Sequence, residues 1–233
     1  MFESKGGVFF IGGVGFFAFA FLANVVVPMA MFDRETTPVL AYEVDENGVE
    51  QAVGLVPENQ NIQKQFEELQ RAFPEAFAEH FGDVSDEKAF QEACAQALRL
   101  GRQVYIGEGC WHCHSQFVRP VSNESKRWGS VAASEEYDNE LQKPVLFGTR
   151  RVGPDLSRQG GRHGHDWHAV HMFKPVWTSP GSTMPEYPWL FDGSPDKPNR
   201  RGLALITYLQ WLGSWLEEYP YYEELEESKG QGY

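Results

Sequence analysis

Cysteine is scarce in this chain. There are 3 in 233 residues, and two of them, Cys110 and Cys113, stand three positions apart. The third, Cys94, is left alone, which rules out a disulfide framework. A structural zinc site would need a second ligand pair at similar spacing, and no second Cys pair exists. Positive charge is also short, with 20 Lys and Arg against 33 Asp and Glu and a formal net charge of −13. A nucleic-acid-binding face needs clustered positive charge, so no nucleic acid is expected as a partner. No phosphate loop, nucleophile–base pair or carboxylate dyad stands out, so no independent catalytic site is expected.

The acid is unevenly placed. Residues 43–99 sum to about −9 and the tail 217–233 to about −5, while 100–216 are near neutral at about +2. At the other end, Gly6–Phe32 carries no charge at all. About 20 apolar residues cross a bilayer, so a single transmembrane anchor over 6–32 is expected, with Pro28 kinking its end. Ala18-Phe19-Ala20 has the form of a signal-peptidase site, but a signal core runs about 7–15 residues, and this run is longer. The anchor is expected to stay uncleaved, with residues 1–5 cytoplasmic.

Residues 33–60 read as an extended linker broken at Asn47-Gly48, Pro57 and Asn59. Ile62, Phe66, Leu69, Phe73 and Phe77 then recur at helical spacing, and Pro74 splits them into two short helices. Such a stripe packs on its own domain or docks a partner. The acidic insert at about 43–85 is expected to be dispensable for the chemistry that follows. Ser85 can cap a helix over about 86–107, with Phe90, Cys94, Ala97, Gly101 and Tyr105 on one face and Cys94 buried as a small apolar residue. Gly101 allows a second helix to approach closely. Its natural partner is a helix over about 200–217 carrying Leu203, Leu205, Ile206, Leu209 and Leu212.

Between these helices lies Cys110-Trp111-His112-Cys113-His114, a C-x-x-C-H motif, the attachment sequence for a c-type haem. Two thiols at this spacing can each form a thioether to a vinyl group, and His114 then lies under the iron as proximal ligand. Covalent attachment happens outside the cytoplasm, which orients everything after Phe32 towards the periplasm. The sixth ligand is expected to be Met184, in the Pro- and Gly-rich loop around Ser182-Thr183-Met184-Pro185. Met172 is the rival and reads as core. The Pro154 carbonyl, in Gly153-Pro154-Asp155-Leu156, could accept from the free ring nitrogen of His114. His163, His165, His168 and His171 read as structural or propionate-contacting residues rather than a second metal site. Arg119, Arg150, Arg151, Arg158 and Arg162 either pair with haem propionates, Arg119 and Arg162 foremost, or form a solvated face.

Several of these motifs together resemble a known family. Cys110 to Gln116 with Arg119-Pro120, Arg151-Val152-Gly153-Pro154-Asp155-Leu156, Gly160-Gly161-Arg162, Asp166-Trp167-His168, His171, Met184 to Leu190, and Tyr208-Leu209-Gln210 with Leu212-Gly213 look like the monohaem cytochrome c subunit (subunit II) of cbb3-type cytochrome c oxidases. The resemblance spans residues 100–216. It implies a mainly α protein: a single N-terminal transmembrane helix (6–32), a linker and acidic helical insert (33–85), a class I cytochrome c domain (86–216) and an acidic tail (217–233). It also implies one covalently bound haem c, held by Cys110 and Cys113, with His114 and Met184 as axial ligands. The implied role is a one-electron relay in the bacterial inner membrane. Its donor would be a dihaem cytochrome c subunit or a soluble cytochrome c, and its acceptor haem b of the large haem–copper subunit. Two alternatives stay open: the cytochrome c subunit of a nitric oxide reductase, and a haem sensor or enzyme with an open sixth position.

Overall fold

The structure is a computed structural model and describes residues 2–31 and 36–216. The acidic tail expected over 217–233 and the junction at 32–35 lie outside the described residues. The chain separates into two units, Met1–Thr36 and Thr37–Tyr233.

The first unit is helical. Helix α1 (Phe2–Phe21) passes through a π-turn at Leu22–Val26 into α2 (Val27–Met31). Pro28 has no N–H to give to the carbonyl four residues back and its ring crowds that carbonyl. The backbone widens just ahead of it, and Val27 N donates to Leu22 O. The one polar side chain of the turn, Asn24, donates to Ala20 O at 2.9 Å. Apolar side chains cover every face of the helix and stand exposed, Phe9 by 80%. Lys5–Ala30 is long and apolar enough to cross a membrane.

The second unit begins with a correction. The stretch expected as an extended linker contains an antiparallel hairpin, β1 (Ala41–Val44) and β2 (Glu50–Val53), in which Ala41 faces Val53 and Val44 faces Glu50. Asn47-Gly48 is its turn rather than a break. Asp45 accepts from Asn47 N and Val49 N at 2.8 and 2.9 Å, and Gly48 takes φ +79°. Val39 and Val56, at the hairpin's base, are fully buried.

Helices α3 (Leu55–Glu58), α4 (Gln60–Ala72) and α5 (Pro74–Phe81) follow. Asn59 caps α4 by accepting from Ile62 N at 3.0 Å. Pro74 opens α5 at the first helical position, where its missing N–H is harmless. The stripe from Ile62 to Phe77 is buried within the chain's own core. The Phe66 ring meets those of Phe77, Phe81 and Phe90 at 5.0–5.5 Å. The same core continues to Leu212, and Asn59 and Asn61 bond Ser214 at 2.8 and 2.9 Å. The insert thus shares one core with the residues after 85, which does not fit its expected dispensability.

Helix α6 (Glu87–Gly107) starts one residue later than expected, because Asp86 rather than Ser85 is the cap, accepting from Ala89 N at 3.2 Å. Helices α7 (Cys110–Cys113), α8 (Glu124–Trp128), α9 (His165–Phe173), α10 (Pro175–Thr178) and α11 (Arg200–Trp211) complete the unit. Among them α6 and α11 cross at Gly101. A Cβ there would overlap the Ala204 carbonyl oxygen and stand 2.6 Å from Tyr208 Cβ, so only glycine permits this approach. Leu203, Ile206 and Tyr208 are fully buried in the crossing, each aliphatic side chain contributing about 1.5–3 kcal/mol. α11 stops at Trp211, short of the expected 217. The chain turns at Gly213 (φ +82°), and Leu212 O accepts from Gly160 N at 2.7 Å.

Candidate functional site

The site grows from the end of α6. Gly109, at φ +73°, reverses the chain and opens the single turn α7. That turn carries Cys110 and Cys113 three residues apart, so both side chains lie on one face, and both thiols are free. Burial, then the charge of Glu108, pushes the Cys110 thiol up to about 12. His114 leaves the helix in extended conformation (φ −115°, ψ 117°).

A strap running from Thr149 to Leu156 lies along this motif. Arg150 N donates to His112 O at 3.0 Å, Gly153 N to Cys113 O at 3.1 Å and Leu156 N to Ser115 O at 2.9 Å. It brings the Pro154 carbonyl to 2.9 Å from His114 Nδ1. A carbonyl can only accept, so Nδ1 is the protonated nitrogen and Nε2 keeps its lone pair. Burial holds the His114 pKa below the ordinary histidine value, against the Pro154 bond and the Asp155 charge that pull it up. The ring lies flat on Gly153, where a Cβ would stand 2.6 Å from Nδ1.

A buried polar network, not legible in the sequence, backs the strap. Asp155 accepts from Ser115 Oγ at 2.5 Å and Phe117 N at 2.9 Å on one oxygen, and from Ser157 N at 2.9 Å on the other. Arg151 bonds Ser115 Oγ and donates to Phe117 O at 2.6 Å. It also pairs with Glu124 at 2.6 Å and lies over the Trp128 ring at 4.5 Å. Burial raises the Glu124 carboxyl, but bonds from Arg151 and Arg119 outweigh it and hold it at about 2. Arg119 makes the pair with Glu124 at 2.5 Å. Arg158, 3% exposed, pairs with Glu136 at 2.7 Å. The basic excess is thus no solvated face at Arg151 and Arg158, since Arg158 is buried, Arg151 is partly buried and both are committed to carboxylates. The signals overlooked were a carboxylate directly after Gly-Pro and a serine directly after the histidine.

Met184 is half-buried and packs against the core, with its N–H donating to Ser182 Oγ at 3.2 Å. The loop after it returns to the motif through Tyr187. This residue donates its N–H to Met172 O at 3.0 Å, and its phenol is pushed up to about 12 by burial and then by Cys110, Glu108 and Cys113. Met172 is 4% exposed and part of the core. The histidines of α9 divide between two settings. His163, Trp167 and His171 form a parallel stack with centroids 3.8 and 4.5 Å apart, and Thr178 Oγ1 lies 2.6 Å from His171 Nδ1. His165 and His168 are buried instead. Among the described residues no three His, Cys, Asp or Glu converge as a metal site would require. Arg162 is exposed, and its backbone N–H donates to Gln159 O at 3.1 Å.

Two free thiols on one helical turn, followed by an imidazole whose tautomer is set and whose Nε2 is free, are the donor set that a haem needs. Fold and site together define a mono-haem cytochrome domain of mainly α structure behind an apolar N-terminal helix. Residues 93–201 match the family model described as cytochrome C oxidase, mono-heme subunit/FixO. No curated protein matches the chain.

Proposed function

We propose that this oxidase subunit is a membrane-anchored, periplasmic relay that takes single electrons from a cytochrome c donor and passes them to haem b of the large haem–copper subunit. The donor in this reading is a dihaem cytochrome c subunit or a soluble cytochrome c. The family match over residues 93–201 supports electron transfer within an oxidase complex, and the apolar helix Lys5–Ala30 supports the anchor in a bacterial inner membrane.

The observation that carries the reading is the 2.9 Å contact between His114 Nδ1 and the Pro154 carbonyl, one residue past the paired thiols. When bound, haem c supplies a one-electron ferric–ferrous couple. Cys110 and Cys113 would hold it covalently. His114 offers Nε2 on one side, kept neutral by burial, and Pro154 orients the ring and strengthens it as a donor. Met184 would offer a thioether to the iron, and Pro185 limits its loop's freedom. Tyr105, buried beside the motif, donates its hydroxyl to the His114 carbonyl at 3.1 Å. Arg119 and Arg162 remain the candidates for propionate contacts, Arg119 with one face already given to Glu124.

The test is a haem-stained denaturing gel of the full chain. Wild type should give a haem band, and Cys110→Ala with Cys113→Ala should abolish it. A full-strength band in the double variant would refute covalent attachment at this motif.

A further inference from the structure

We propose that Asp155 is a positioning residue for His114: with Ser115 it clamps the strap to the motif and thereby sets the strength of the His114–Pro154 hydrogen bond. This rests on the reading of His114 as an iron ligand.

The His114–Pro154 bond has a residue beside each of its ends, Ser115 after His114 and Asp155 after Pro154. These two neighbours are joined directly by one bond, and the next residue of the strap, Leu156, adds a second to Ser115. Ser115 Oγ donates to Asp155 Oδ2 at 2.5 Å, and Leu156 N donates to Ser115 O at 2.9 Å. Phe117 N adds a second bond to Oδ2, Ser157 N occupies Oδ1, both at 2.9 Å, and Arg151 stands 3.5 Å from Oδ2. The Asp155 side chain has no solvent exposure.

Burying a carboxylate is costly unless it is paired and hydrogen-bonded. A bare turn could close without one. What a carboxylate adds here is acceptance on both oxygens at once. An asparagine would present one acceptor oxygen and one NH2 group, so either Ser157 N–H or the Phe117 N–H would face another donor. Charge-assisted bonds are about twice as strong as neutral ones, and they fix Asp155, one residue past the carbonyl that matters. With the clamp intact, the carbonyl cannot drift from Nδ1, and the imidazole remains a strong donor that favours ferric iron. Loosening the clamp weakens that bond and raises the reduction potential.

Asp155→Asn alone is ambiguous, because losing a negative charge near the iron also raises the potential. Ser115→Ala removes the shortest bond to Asp155 and keeps the charge. Both variants are made in the full chain, purified in detergent, and titrated potentiometrically with the visible spectrum as readout. Exchange of the His114 Nδ1–H with solvent is measured in the reduced state. Wild type is first scored for haem by staining, so a failure of the haem reading shows there and separately. Ser115→Ala should raise the ferrous-to-ferric ratio at fixed poise about threefold, where tenfold corresponds to ~59 mV, and should speed Nδ1–H exchange. Asp155→Asn should shift further in the same direction. An unchanged potential and exchange rate in Ser115→Ala, with a shift in Asp155→Asn only, would mean that the carboxylate acts through its charge alone and would overturn the proposal. A lowered melting temperature with both readouts unchanged would overturn it too. If Asp155→Asn does not fold, Ser115→Ala decides by itself.

Discussion

Replacing Gly153 by alanine tests the seat of His114 most directly. An added Cβ would stand 2.6 Å from Nδ1 and 2.8 Å from Nε2 of the imidazole, well inside van der Waals contact. The ring cannot yield sideways without leaving the Pro154 carbonyl at 2.9 Å. The strap cannot yield outward without breaking the Gly153 N to Cys113 O bond at 3.1 Å. Overpacking of this kind costs about 1–3 kcal/mol, and a lost hydrogen bond about 0.5–1.5 kcal/mol. A combined loss of about 3 kcal/mol should lower the melting temperature by about 6–12 °C in a domain of this size. The assay is thermal unfolding of the haem-loaded full chain in detergent, followed by the visible spectrum, with a potentiometric titration on the same sample. The weakened Nδ1 bond should also raise the midpoint potential. A Gly153→Ala protein that melts within about 2 °C of wild type and keeps its potential would refute the packing of His114 on Gly153.

Met184→Ala should open the sixth position, so that carbon monoxide binds the reduced protein readily. Met184→His should keep the low-spin spectrum but lower the potential, and an unchanged spectrum and potential in the alanine variant would point to another ligand. The Glu124 carboxyl, held at about 2 by Arg151 and Arg119, lies below its ordinary value near 4.5. It therefore contributes stability above about pH 4.5 that is lost as pH falls towards 2. The contribution is about 1–3 kcal/mol, nearer the lower figure because the Arg119 side of the pair is half-exposed and screened. Glu124→Gln should flatten the fall in melting temperature over that window, and an acid titration identical to wild type would contradict it. Deleting residues 43–85 removes Ile62, Phe66, Leu69, Phe73 and Phe77 from the core. It should leave a chain that is rapidly cut by dilute protease, whereas a protease-resistant, haem-loaded deletion would show the insert to be separable.

What could be read without coordinates was local. C-x-x-C-H states its chemistry through spacing alone, since three residues make about one helical turn and bring two thiols to one face. Pro74 splits its helix wherever it sits, because the missing N–H and the ring are properties of the residue. Gly101 announced a close approach, and Ala204 and Tyr208 fill the space that its missing Cβ leaves. The hairpin at 41–53 was missed because its strands are four residues each and too mixed in polarity to show a period. Arg151 and Arg158 read as propionate partners or a solvated face because long charged side chains are rarely buried, and the glutamates that hold them, Glu124 and Glu136, lie 22 or more residues away in sequence.

By itself, then, the sequence determined the donor atoms proposed for haem: two thiols, one imidazole and a thioether in a proline-bounded loop. Only the tertiary structure decided the state of the imidazole. Its acceptor, the Pro154 carbonyl, arrives from 40 residues further on, and so does the carboxylate that binds Ser115. Neither pairing carries a spacing signal, because the intervening loop can take many lengths and still close. The contact exists because Gly153 leaves room for the ring, and because three donors and an arginine meet the buried charge of Asp155.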